Sequence, residues 1–335
     1  MGNKSSHQSS KERNNKTNKI PSKKDEKYYN LNKMLNILEY QEKSKIDPMI
    51  LLKKEKSFAC GLGDGGIKIY SAKSPYSLQI EMNIHSTGIT CICETKKGEL
   101  ISGAYAPDST IKLTSYNLKE KVFEIVKEIK GHISDVYNVI QLENKFISDL
   151  FDSCSKDKTI KIWNKNTGQA MLIYKNIEYV WCLLELSNYR IIFCQHSYNG
   201  LYEINYKKAT INKKRDKIIA TGTNALYKMK IENKNYIAIA GFGEIFIVDD
   251  IDYKIKNNFK FGGVGFLWSI RLLSDNSFLI NGASNYIYQI SANKGQIISK
   301  ANIHNDSIPS IIELEKGILV TCSYDHKIKF WQLKK

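Results

Sequence analysis

The sequence predicts an all-β fold: a β-propeller of seven four-stranded blades, its ring closed by an N-terminal strand and preceded by a disordered basic tail. Three observations predict it. A short motif recurs along the chain, its copies stand roughly 40–45 residues apart, and each interval divides into four β-rich runs separated by turn residues.

The motif is plainest in SCSKDKTIKIW (153–163), TCSYDHKIKFW (321–331) and CGLGDGGIKIY (60–70), and GAYAPDSTIKL (103–113) follows the same course. In each, an Asp stands six residues before the closing position: Asp64 before Tyr70, Asp108 before Thr114, Asp157 before Trp163 and Asp325 before Trp331. Weaker copies end at Ile204, Val248 and Ile290, and successive end positions lie 44, 49, 41, 44, 42 and 41 residues apart. Within the third unit, VYNVIQL, FISDLFDSCS, TIKIW and QAMLIY read as strands, with ENK, KDK and NKNTG as turns. No unit holds a ten-residue helical pattern, which disfavours alternating strands and helices.

The seventh unit stops at Lys335 after its third strand, which would leave a bare sheet edge. The repeat offset places the missing strand at Met34–Tyr40, MLNILEY. An amphipathic helix on Leu31, Met34, Leu35 and Leu38 is the rival reading. The strand is favoured because the blade otherwise has only three. The expected division is a tail over 1–30 and a propeller over 31–335.

On these residues the chain resembles the WD40 family of seven-bladed propellers over 31–335, about nine tenths of its length. The resemblance implies a structural hydrogen-bond set of His132, Ser155, Asp157 and Trp163 in the third blade. It implies a second set of His304, Ser323, Asp325 and Trp331 in the seventh, and a partial one of His85 and Asp108 in the second. Blades four to six lack the Asp and the Trp. The Ser/His/Asp grouping also fits a hydrolase triad, but it lies in a repeated strand without a nucleophile elbow or oxyanion donors. No catalytic residue, cofactor or metal site is therefore expected. GLGDGG (61–66) is followed by the strand IKIY rather than a helix, so it reads as a turn and not a phosphate loop. Trp163-Asn164 and Trp331-Gln332 lack the Trp-Asp-x-Arg by which some family members join ubiquitin-ligase adaptors. A ligase substrate receptor stays an alternative.

Composition narrows the function. With 42% hydrophobic and 25% charged residues among 335, the chain has material for a large core, and no run approaches the length of a membrane-spanning helix. The seven cysteines show no CxxC and no zinc-ligand spacing, and most sit in apolar runs as small buried hydrophobes. The net charge is +16, and 46 of the 50 basic residues are lysine. Lysine suits any polyanion, whereas base readout favours arginine.

Assigned to turns, the charges predict a basic bottom face, with Lys207, Lys208, Lys213, Lys214 and Arg215 as its densest run, and an acidic top face. The start Met1-Gly2-Asn3-Lys4-Ser5-Ser6 matches an N-myristoylation pattern at Gly2. Lys4, Lys11, Arg13, Lys16, Lys19, Lys23 and Lys24 help give the first 30 residues a net +5, the usual second signal for a single acyl chain. The expectation is a non-enzymatic scaffold, monomeric within a larger complex. Protein partners would sit on its top face, with an anionic cytoplasmic membrane below. An RNA- or ribosome-associated propeller is the alternative.

Overall fold

The structure, a computed structural model, describes residues 28–142, 149–175, 177–195, 200–215, 225–231, 233–292 and 294–335. It is a ring of seven antiparallel sheets, four strands each. The first strand, β1 (Asn30–Gln41), belongs to the last blade. Blade 1 is β2 (Ile46–Leu52), β3 (Ser57–Leu62), β4 (Gly66–Ser71) and β5 (Leu78–Asn83). Blade 2 is β6 (Ile89–Glu94), β7 (Leu100–Ala104), β8 (Ile111–Asn117) and β9 (Val122–Ile129). Blade 3 is β10 (Val136–Gln141), β11 (Leu150–Ser155), β12 (Thr159–Asn164) and β13 (Ala170–Tyr174).

Blade 4 is β14 (Leu183–Leu186), β15 (Arg190–Cys194), β16 (Leu201–Asn205) and β17 (Thr210–Arg215). Blade 5 is β18 (Ala225–Ile231), β19 (Lys234–Ala240), β20 (Glu244–Asp249) and β21 (Ile255–Lys260). Blade 6 is β22 (Leu267–Leu272), β23 (Ser277–Gly282), β24 (Tyr286–Ser291) and β25 (Ile297–Asn302). Blade 7 is β26 (Ser310–Glu315), β27 (Ile318–Cys322) and β28 (Lys327–Lys334), completed by β1.

The core lies between the blades rather than within any one. Seven apolar clusters occupy the seven interfaces, from Ile69, Met82 and Ile89 between blades 1 and 2 to Phe58, Tyr70 and Phe330 between blades 7 and 1. A middle strand is therefore covered on both faces, and β3, β7, β11 and β23 are buried at every residue. That explains their unbroken runs of small and apolar residues. Outer strands meet solvent, and β9 is exposed or half-exposed at all but its last residue. One turn needs its glycine. Gly65 has φ +91°, a Cβ there would stand 2.1 Å from the His85 carbonyl oxygen, and the His85 amide donates to the Gly65 carbonyl at 3.0 Å.

The closing strand is present. β1 pairs antiparallel with β28 from Asn30↔Lys334 to Gln41↔Lys327, so the helical alternative for Leu31, Met34, Leu35 and Leu38 is overturned. Pairing with β28 satisfies a whole edge, which a surface helix would leave open. The strand also reaches past its own blade. Tyr29 donates its amide to Asp275 Oδ2 at 2.6 Å, and the Leu31 amide donates to Ser299 Oγ at 3.3 Å. Tyr29 and Leu31 are buried against Leu279, Ile287 and Trp331, between blades 6 and 7.

Candidate functional site

Three buried polar chains tie the blades together, and each begins at an Asp in the turn between the second and third strands of its blade. In blade 3 the Asp157 carboxylate lies 2.7 Å from His132 Nδ1, and His132 Nε2 lies 2.7 Å from Ser153 Oγ. Trp163 Nε1 donates to the same Ser153 Oγ at 2.7 Å. A carboxylate on Nδ1 fixes the tautomer by inference: Nδ1 donates, Nε2 accepts the Ser153 hydroxyl, and the indole N–H feeds that hydroxyl. Blade 7 repeats the chain, with His304 Nδ1 2.9 Å from Asp325 Oδ2, Nε2 2.8 Å from Thr321 Oγ1, and Trp331 Nε1 donating to Thr321 Oγ1 at 2.9 Å. In blade 2, His85 bridges Asp108 at 3.2 Å and Ser102 at 2.9 Å. Thr114 stands where the Trp would be, and its buried hydroxyl has no partner among the described residues.

The hydroxyl-bearing residues differ from expectation. Ser155 and Ser323 are not members of these chains; Ser153 and Thr321, two residues earlier, are. The register explains it. Ser153 pairs with Lys161, putting it diagonally beside Trp163, whereas Ser155 pairs with Thr159 further along. Strand period two puts 153 and 155 on one face, so sequence alone left two candidates of the same kind. Ser155 and Ser323 instead accept the amides of Asp157 and Asp325, each at 3.0 Å, and shape the turns.

Ser153, His132 and Asp157 thus have the mutual geometry of a hydrolytic triad, but Ser153 is fully buried and its oxygen is already engaged twice. No substrate carbonyl reaches it, so the arrangement is a structural clamp.

The titration of these chains follows from burial. Desolvation lowers His85 and His132, and brings His304 down to about 4, against the opposing pull of each Asp. Burial works to raise Asp157, but hydrogen bonds from His132 and Thr159 outweigh it and hold its carboxyl at about 2. A histidine whose folded value lies below its unfolded value takes up protons preferentially when unfolded. Its stabilisation is therefore complete above pH 6.5 and is lost as pH falls toward the folded value. Between pH 7.5 and pH 5, His304 alone accounts for a loss on the order of 2 kcal/mol. Urea unfolding across this range is expected to show falling midpoints, and His304→Gln should flatten part of the slope. Asp157 adds a second loss below pH 3.8.

The charged faces require two corrections. Of the acids expected on the top face, Glu42 is buried and bonded to Lys68 Nζ at 2.6 Å and Tyr70 Oη at 2.5 Å. Asp108, Asp157 and Asp325 turn inward to their histidines, and their side chains are 4%, 3% and 6% exposed. Lys43, Lys45, Lys130, Lys156, Lys158 and Lys175 stay exposed there, so the top surface is not acidic. The expected contrast failed because turn membership does not report which way a carboxylate points.

On the bottom, Lys53, Lys54, Lys96, Lys97, Lys207, Lys208, Lys234 and Lys316 are exposed. Lys207 and Lys208 occupy the turn after β16, but Lys213, Lys214 and Arg215 lie in the outer strand β17, not in that turn. Lys214 pairs with buried Glu203 at 3.0 Å, and Lys213 Nζ lies 6.0 Å from the Tyr202 ring centre. Gly2, Lys4, Lys11, Arg13, Lys16, Lys19, Lys23 and Lys24 lie outside the described residues.

Sequence reading missed the channel through the ring. A cavity of about 770 Å³ runs between the inner strands. Its top mouth is rimmed by Tyr105, Tyr137, Trp181, Phe266, Trp268 and Tyr324. Tyr137 stacks on Trp181 at 4.2 Å, and Phe266 meets Phe242 edge-on at 4.9 Å. Trp181, Phe266, Tyr105 and Phe242 remain 37%, 39%, 42% and 49% exposed. A periodic signal existed: one position near the head of successive inner strands carries Asp47, Thr90, Tyr137, Trp181 and Trp268, all of which line the channel. Among the described residues no group of three or more His, Cys, Asp or Glu is placed to hold a metal, and none of the seven cysteines is joined in a disulfide.

The comparisons with known proteins agree with this architecture. The family model of the WD domain, G-beta repeat, matches residues 123–164, which span β9 to β12. The repeat is thus one strand out of phase with the blade, taking the outer strand of blade 2 and the first three strands of blade 3. The same phase gives blade 7 an outer strand from the other end of the chain. The chain is also 29% identical over 87 residues to the ribosome biogenesis protein WDR12 homolog of Dictyostelium discoideum, which is 26% of this chain and 17% of that relative. With Trp–Ser/Thr–His–Asp chains in blades 3 and 7 and seven four-stranded blades in a closed ring, this protein is a seven-bladed β-propeller that carries a WD40 repeat match at residues 123–164.

Proposed function

We propose that this propeller is a non-enzymatic scaffold that holds a protein partner on its top face, at the mouth of the channel. The observation that carries the reading is the aromatic rim, where Trp181, Phe266, Tyr105 and Phe242 keep much of their surface in water although burial would favour them. Aromatic side chains of this kind dominate the energetics of protein interfaces. Replacing Trp181 and Phe266 together by Ala should remove 2–4 kcal/mol or roughly 30–1,000-fold of partner affinity. Quantitative mass spectrometry of proteins co-purifying with wild type and with that variant checks it. An unchanged set of co-purifying proteins would count against the mouth.

A second reading places the propeller in an RNA or ribosomal complex. The resemblance over 87 residues to a protein named for ribosome biogenesis favours it, together with the exposed bottom lysines. Association would then weaken steeply with salt and disappear after ribonuclease treatment. The membrane tether is a finer proposal about localisation, resting on the Gly2 pattern and the basic residues behind it. Labelling with an alkyne-myristate analogue should mark wild type and leave Gly2→Ala unmarked. Equal labelling of the two removes the tether and leaves the scaffold reading untouched.

A further inference from the structure

Below its aromatic mouth the channel has a second, polar character that partner docking at the rim does not use. Asp47 and Arg271 are the charged residues among those lining it. Ser269 and Arg271 stand two apart on β22, on one face of the strand, and both line the channel. The Arg271 guanidinium has no carboxylate partner among the described residues. It donates to the Ile270 carbonyl oxygen at a long 3.3 Å and lies 5.8 Å from the Tyr227 ring centre. Ser269 Oγ and, on β10, Asn138 Oδ1 are buried with no hydrogen-bond partner. A half-buried cation without a carboxylate partner and two unsatisfied buried polar atoms line one cavity, and a bound ligand would satisfy all three.

Asp47 does not supply the counter-ion. Burial raises its carboxyl to about 7 despite the hydrogen bond it accepts from Tyr324 Oη at 3.1 Å, so much of it is uncharged near neutrality. Elsewhere the channel wall is largely apolar, with Ile50, Cys93 and Ile140 lining it from blades 1 to 3. One guanidinium balances one negative charge. A phosphate, at −1.5 to −2, would carry uncompensated charge into this apolar ring. From Trp268 to Arg271 is three residues, or about 10 Å of strand, so the charged group must lie well below the rim.

We infer that the channel is a binding site for a carboxylate with an apolar body, its charged group on Arg271 and its polar neighbours reaching Ser269 and Asn138. The carboxylate comes either from a free organic acid or from an acidic side chain threaded in by a partner.

The test uses the purified full chain and three kinds of probe: 4-phenylbutyrate, its uncharged amide, and a hexapeptide carrying one Glu compared with its Gln counterpart. Calorimetry should show saturable binding of phenylbutyrate or of the Glu peptide, at least tenfold weaker for the amide or the Gln peptide. Arg271→Gln should abolish the difference. Binding by phenylbutyrate identifies a free acid as the source, and binding by the Glu peptide alone identifies a partner side chain. Without ligand, Arg271→Met should fold and melt at a higher temperature, because it removes a half-buried charge that has no carboxylate partner. Equal affinity for acid and amide, absence of binding by all four probes, or an Arg271→Met chain that melts lower than wild type would overturn the site. None of these outcomes bears on partner capture at the rim, which the Trp181 and Phe266 variant reads separately.

Discussion

A chain beginning at Glu42, and so lacking β1, is expected to lose its cooperative thermal transition. The strand brings Leu31 and Tyr29 into the interface between blades 6 and 7, and packs Leu38 and Tyr40 against the cluster between blades 7 and 1. At roughly 1.5–3 kcal/mol for each large apolar side chain fully buried, and about half that for the partly buried Leu38 and Tyr40, these four side chains represent on the order of 5–9 kcal/mol. That matches the whole stability of a typical domain. Truncation also bares the β28 edge, inviting pairing with other chains. Circular dichroism melting and light scattering on the truncated and full chains check both effects. Adding a peptide of residues 28–42 in trans should restore the transition in part, because the interaction is strand addition to a preformed edge. A truncated chain that melts like the full one would mean the ring closes without β1.

The second large effect lies in blade 3. Trp163→Ala should cost about 3–5 kcal/mol, since it removes a buried indole between blades 2 and 3 and strips Ser153 of its donor. Trp163→Phe retains most of the packing and should cost only about 1–2 kcal/mol. Ser153→Ala leaves both the indole N–H and His132 Nε2 without their partner, an expected loss of about 2–4 kcal/mol. Ser155→Ala removes only a turn acceptor and should cost about 1 kcal/mol. The ratio of the two serine variants, measured by denaturant unfolding, separates the two hydroxyls that the repeat motif presents as equals. A double-mutant cycle of Trp163→Phe with Ser153→Ala should show coupling of about 1 kcal/mol.

Much of this fold was legible before any coordinates, because it is written in local features that repeat. The Asp six residues before Trp163 and Trp331 marks a tight turn between strands, and seven such periods make a ring almost unavoidable. The closing strand at Met34–Tyr40 followed from bookkeeping of strands, and β1 extends it at both ends. What stayed hidden depends on three-dimensional direction. Register decides between Ser153 and Ser155, and rotation of a turn decides whether Asp108 meets water or His85. The channel residues Asp47, Trp181, Trp268 and Arg271 come from three different blades, so no window of sequence brings them together. Arg190 shows the same limit. It looks like one more basic turn residue, yet it bonds Glu203, Tyr253 and the Asp250 carbonyl in a half-buried network.

The claim that the channel mouth is the working surface is tested most directly by photo-crosslinking in cells, with the reactive side chain placed at Trp181 on the rim or at Lys207 on the opposite face. Discrete protein adducts are expected from position 181, lost when Phe266 is also changed to Ala, and few from position 207. Adducts confined to position 207, or adducts there that ribonuclease removes, would contradict it and move the function to the basic face.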